Sequence, residues 1–151
     1  MKFNIRKARK SDSDEIIRLI RELAYFEKLV PPDDNDSKRL LKDAFSKNPR
    51  FKILVAEYKE ELVGYAFYFF TYSTFLARPT LYLEDIYISE KYRSKGLGKD
   101  LFLELKSIAQ KEKCGRMEWI VLDWNKNAIS FYEKLGAKVL EDWKFSRLTL
   151  T

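Results

Sequence analysis

Arg93-Ser94-Lys95-Gly96-Leu97-Gly98 stands where the hydrophobic pattern changes period. Residues 80–89 before it read as a strand. Residues 97–112 after it read as a helix, with Leu97, Leu101, Leu105, Ile108 and Ala109 on one face. A glycine-bearing turn that opens a helix presents backbone N–H groups and the positive end of the helix dipole to an anion. Gly96 and Gly98 carry no Cβ, so a pyrophosphate can approach the backbone closely. Arg93, Lys95 and Lys99 add positive charge. The spacing is Arg-x-x-Gly-x-Gly, neither Gly-x-Gly-x-x-Gly nor a P-loop. It points to a nucleotide-bearing cofactor outside the usual dinucleotide and NTP signatures. The alternative is a turn that only joins strand to helix.

Outward from the turn, the chain reads as one mixed α/β domain over 1–151, in the order β-α-α-β-β-β-α-β-α-β-β. A first strand covers 3–8. Ser11 and Asp14 are spaced like a capping box, and Ile16, Leu19, Ile20 and Leu23 recur at helical spacing until Pro31-Pro32 stops the helix near Leu29. The acidic run Asp33-Asp34-Asn35-Asp36 serves as loop and cap for a short helix over 37–45. Residues 51–58 and 62–71 read as strands joined at Lys59-Glu60-Glu61. After the long helix come a strand over 116–123, a helix over 125–135 closed by Gly136, and two last strands near 138–140 and 143–150.

Composition narrows the chemistry. The 151 residues include no histidine and one cysteine, Cys114. Ser-His-Asp and Cys-His catalysis are therefore excluded, an intramolecular disulfide is impossible, and no metal site is expected. Any acid or base comes from Glu, Asp, Tyr, Lys, Cys or a terminus. The net charge of +6 raises nucleic-acid binding, but 29 basic and 23 acidic residues are interspersed, as on a solvated surface with one local anion site. No apolar run reaches the ~18 residues of a membrane span, and the N-terminus lacks a signal-peptide core. A cytoplasmic protein without membrane or nucleic-acid partner is expected.

The element order and glycine turn resemble the GCN5-related N-acetyltransferase (GNAT) fold over essentially the whole chain. Three blocks tighten the resemblance to the diamine acetyltransferases, the spermidine/spermine and thialysine enzymes. They are Leu81-Tyr82-Leu83-Glu84-Asp85-Ile86-Tyr87-Ile88, Tyr92-Arg93-x-x-Gly96-x-Gly98, and Leu122-Asp123-Trp124-Asn125-x-x-Ala128-x-x-Phe131-Tyr132-x-x-Leu135-Gly136-Ala137. The resemblance implies a mostly antiparallel mixed sheet of about six or seven strands with a splayed pair, about four flanking helices, and acetyl-CoA in the splay. Its pantetheine arm would pair with the backbone of Ile86, Tyr87 and Ile88. Its pyrophosphate would sit on the amides of Ser94, Lys95, Gly96, Leu97, Gly98 and Lys99, with Arg93 closing the turn. Asn125, Ala128 and Phe131 would line it further along.

The same resemblance gives Tyr132 the role of general acid, protonating the departing thiolate. Pattern alone favours the other reading, an aromatic pair on a helix half buried against the sheet. Glu84 would help remove the proton that an aliphatic amine carries at neutral pH, and Asp85 would hold the cationic substrate. Neighbours on a strand point to opposite faces, so both reach one pocket only if a bulge intervenes. Glu27 matches a substrate-contact position, and Phe26 replaces a Tyr of the spermidine enzymes. Glu141, Asp142 and Trp143 approximate an acidic-then-Trp segment. Ser73 and Phe75 stand where the spermidine enzymes carry Asp and Trp, which favours a shorter amine: a diamine, a lysine analogue or agmatine. The resemblance also implies a homodimer. The rival readings are a protein lysine or N-terminal acetyltransferase, and a non-catalytic acyl-CoA sensor or nucleic-acid binder.

Overall fold

A computed structural model describes residues 1–150. It contains β1 (Asn4–Lys7), α1 (Ser13–Glu27), α2 (Asp34–Ala44), β2 (Lys52–Tyr58), β3 (Glu61–Ser73), β4 (Arg78–Ile88), α3 (Leu97–Lys111), β5 (Arg116–Glu118) and α4 (Lys126–Lys134). The chain divides into two compact units, Met1–Trp119 and a second beginning at Ile120.

In the first unit the strands lie in the order β1-β2-β3-β4-β5. The first four are antiparallel, and β5 runs parallel to β4. Alternation along β2 and β3 feeds two cores. Ile53, Val55 and Tyr65 pack with Ile16, Leu19 and Ile20 of α1, whereas Leu54, Ala66 and Tyr68 pack with Leu101, Leu105 and Ala109 of α3. A sheet covered on both faces explains why residues 62–66 of β3 are all buried. Each fully buried leucine contributes roughly 1.5–3 kcal/mol.

The helix ends differ in detail from the sequence reading. Asp12, not Ser11, is the N-cap residue of α1, and its side chain makes no bond to the helix amides. Its carboxylate is taken by the Arg9 amide at 2.7 Å and by Arg6 at 2.8 Å, and these contacts replace the expected capping box. Lys28, in the left-handed region (φ 59), closes α1 before the prolines are reached. Asp33 accepts from the Asp36 amide at 2.8 Å, so α2 begins within the acidic run.

The strand count corrects the expectation. Among the described residues the sheet has five strands rather than six or seven. The strand expected over 116–123 pairs only over Arg116–Glu118. Residues 138–150 form no strand. A strand exists through its ladder of hydrogen bonds to a neighbour, and alternating apolar residues such as Trp143 and Phe145 signal a strand without supplying one.

Gly64 sets the spacing of β3 and β4 beside the glycine turn. A Cβ there would lie 2.7 Å from Ile88 Cδ1 and 2.8 Å from the Tyr87 carbonyl oxygen. The oxygen belongs to the backbone and cannot step aside. Gly64→Ala is therefore expected to cost about 1–3 kcal/mol and to lower the thermal midpoint by several degrees. An unchanged melt would show that the two strands separate freely.

Candidate active site

The anion cradle is built from backbone conformation. A short 3-10 turn over Glu90–Tyr92 delivers the chain to Arg93, and Ser94 (φ 60) and Gly96 (φ 83) are both left-handed. For serine this conformation costs roughly 1–2 kcal/mol, a strain that functional sites retain. Gly96 is the N-cap of α3, and no side chain caps the helix. The first-turn amides therefore have no intrahelical acceptor, and nothing lies within 4 Å of where a Gly96 Cβ would be. Gly98 falls inside the first turn of α3.

Arg93 faces inward. Its Nε donates to the Ile88 carbonyl at 2.9 Å. Its guanidinium lies 4.8 Å from the Phe26 ring centroid and 5.3 Å from that of Tyr87. Phe26, expected at the amine, thus stacks on the arginine of the glycine turn. Ser89 Oγ donates to Glu22 at 2.8 Å and ties the same strand end to α1.

β4 runs on well past its short neighbour β5. β4 pairs with β5 only at Thr80, Leu81 and Tyr82. Residues 83–88, which include Ile86, Tyr87 and Ile88, continue along β3 without a β5 partner among the described residues. Such an edge offers backbone groups to an extended ligand.

The bulge that the acidic pair requires is present. Phe67 pairs with Asp85 and Tyr68 with Leu83, so Glu84 is the extra residue of β4. Leu83 packs on the α3 side, whereas Tyr65 and Tyr87 belong to the α1 side. Asp85 reaches that second side, where the Tyr65 hydroxyl donates to its Oδ2 at 3.1 Å. Burial first, then Glu84 and Glu27, push the Asp85 carboxyl up to about 6, and only the Tyr65 hydrogen bond works against them. Burial also raises Glu27. Burial and the Asp85 charge hold the Tyr65 phenol well above its ordinary value. The sequence reading put Glu27, Glu84 and Asp85 in one acidic group, and in the fold both Glu27 and Glu84 act on Asp85. It missed Tyr65, whose signal depends on register: only the bulge sets that phenol against Asp85.

In the second unit Asn125 Oδ1 accepts from the Ala128 amide at 3.2 Å, so both form the cap of α4. Phe131 and Tyr132 are half-buried neighbours with ring centroids 5.3 Å apart. Gly136 (φ 95) ends the helix as expected. Asp142 and Trp143 are exposed, Trp143 at 74%.

An open glycine turn at an uncapped helix start, together with an unpaired strand edge, fits a ligand carrying a pyrophosphate and an amide-rich arm. Comparison with known proteins agrees. The chain is 41% identical over 146 residues to thialysine N-epsilon-acetyltransferase of Mus musculus, covering 91% of this chain and 85% of that protein. It is 41% identical over 120 residues to L-ornithine N5-acetyltransferase NATA1 of Arabidopsis thaliana, covering 80% of this chain and 47% of that protein. The crystal structure of a possible acetyltransferase from Clostridium difficile 630 superposes with a TM-score of 0.86 at 24% identity, with full coverage of both chains, and shows the same fold. The family model described as Acetyltransferase (GNAT) family matches residues 14–137, so that this chain belongs to that family and is an N-acetyltransferase.

Proposed function

We propose that the protein transfers the acetyl group of acetyl-CoA to the terminal primary amine of a small cationic substrate, of the thialysine, ornithine, agmatine or diamine class, by direct attack in a ternary complex. The observation that carries this reading is the Glu27, Glu84 and Asp85 group gathered at the β4 bulge on an otherwise basic protein. A bound acetyl-CoA supplies the activated acyl thioester. The amides of Ser94 to Lys99 hold its pyrophosphate, and the β4 backbone at Ile86, Tyr87 and Ile88 orients its arm. Arg93 braces the turn through Ile88.

Asp85 and Glu27 attract the ammonium. Glu84, exposed beside them, accepts a proton directly or through a water, which leaves a neutral amine to attack. Tyr132 gives a proton to the departing thiolate. The ammonium loses two protons on becoming an amide: the first leaves through Glu84 to solvent, and the second, shed after attack, replaces the one that Tyr132 gives to sulfur. By the resemblance, Asn125, Ala128 and Phe131 are assigned to the cofactor, and Asp142 and Trp143 to the amine. The family match crosses the division at Ile120, which supports reading both units as parts of one catalytic domain. The working assembly in this reading is a homodimer. Among the described residues no helix is long and apolar enough to cross a membrane.

Thiol release from acetyl-CoA, measured against putrescine, spermidine, agmatine, thialysine, ornithine and a lysine-bearing peptide, tests the reading. Saturable release with one small amine is expected. Release with the peptide alone would move the function to protein modification and overturn the small-amine assignment.

A further inference from the structure

Resting on the amine-transfer reading above, we propose that Tyr65 is a positioning residue whose phenol holds the Asp85 carboxylate in the orientation that receives the substrate cation. The Tyr65 ring is 0% exposed and locked among Ile16, Leu19 and Ile20 of α1 and Val55 of β2. A ring so held cannot follow a moving carboxylate; the carboxylate must come to it. The single O–H donor engages Asp85 Oδ2 at 3.1 Å, which leaves Oδ1 for an ammonium. The hold matters because Asp85 is crowded by like charge. Glu84 adjoins it on β4, and the charge of Glu27, at the end of α1, also acts on it. Without a donor, repulsion favours protonation of Asp85 or its rotation toward solvent. The groups acting on Tyr65 itself are Asp85, Glu27 and Tyr87.

Phenylalanine preserves the ring and removes only the donor. In Tyr65→Phe the KM for the amine is expected to rise several-fold, while kcat and the KM for acetyl-CoA stay near the parent values. The acidic limb of kcat/KM for the amine should move upward by about one pH unit, because the hydrogen bond that favours the ionised carboxylate is gone. In an Asp85→Asn background the same substitution should add nothing. A limb that stays in place, or an equal loss in both backgrounds, would overturn the assignment.

Carboxyl 13C titration of Asp85 in the protein without substrates separates this inference from the reading beneath it. An upward shift in Tyr65→Phe supports the hold even where no amine in the panel is turned over, and the failure then belongs to the substrate reading. An unshifted titration overturns the hold whatever the substrate. Should Tyr65→Phe fail to fold, the Tyr65 Cζ resonance of the parent protein gives the same answer. It should move as Asp85 titrates, near pH 6, and a flat response would overturn the pairing.

Discussion

Replacing Tyr132 with phenylalanine is expected to lower turnover roughly 100-fold or more, the range of a lost general acid, with acetyl-CoA affinity nearly unchanged. The thiolate leaves carrying charge, and the phenol is the group proposed to neutralise it. Phenylalanine keeps the ring beside Phe131 and removes the hydroxyl. Steady-state kinetics with a saturating amine, beside direct titration of acetyl-CoA binding, separate the effects. A loss confined to acetyl-CoA binding would make Tyr132 a cofactor contact. Unchanged turnover would remove it from the chemistry.

Asp85→Asn is expected to pull stability and activity in opposite directions. The Asp85 carboxyl is raised from 3.8 to about 6 in the folded protein. Between those values the native state binds more protons than the unfolded chain. Ionisation therefore costs stability progressively as pH rises from about 4 to about 6, and the cost is complete above that window. Two units correspond to about 3 kcal/mol at most. Partial exposure of the site brings the expected gain from asparagine to about 1–2 kcal/mol at pH 8, and the gain fades as pH falls toward 4. The thermal midpoint at both pH values measures it. The same variant loses the charge that receives the ammonium, so its KM for the amine should rise roughly 10-fold or more. A variant no more stable than the parent at pH 8 would mean that the carboxylate is well accommodated. A variant with unchanged KM would mean that Asp85 does not meet the substrate.

The parts of this molecule readable from its sequence are those that depend on local chemistry. The glycine turn, the amphipathic faces of α1 and α3, the Lys59-Glu60 hairpin and the Gly136 stop each follow from a few neighbouring residues. The acidic group was readable only conditionally. Residue types identified Glu84 and Asp85, but the side that Asp85 faces depended on a bulge, and a bulge is a relation between two strands. Tyr65 lay beyond reach for the same reason: in the sequence it is one more aromatic in an apolar run, and its partner lies 20 residues away. The last strands show the opposite error, since residues 138–150 have the pattern of strands but no ladder. Phe26, assigned to the amine by resemblance, also has its ring against Arg93 at the glycine turn, a contact between distant segments that no local pattern displays.

The bulge also bears on how this chain can change length. Because Glu84 is the residue that β3 leaves unmatched, its deletion would bring Leu83 and Asp85 into sequence opposite Tyr68 and Phe67. The ladder would become regular, every core residue would keep its side, and neither hydrophobic cluster would notice the loss. The architecture thus holds one position that a single-codon deletion could erase without harm to folding. Lineages that lose it would keep the scaffold and the cofactor turn while giving up one acid, a direct route from this chemistry to a different acceptor.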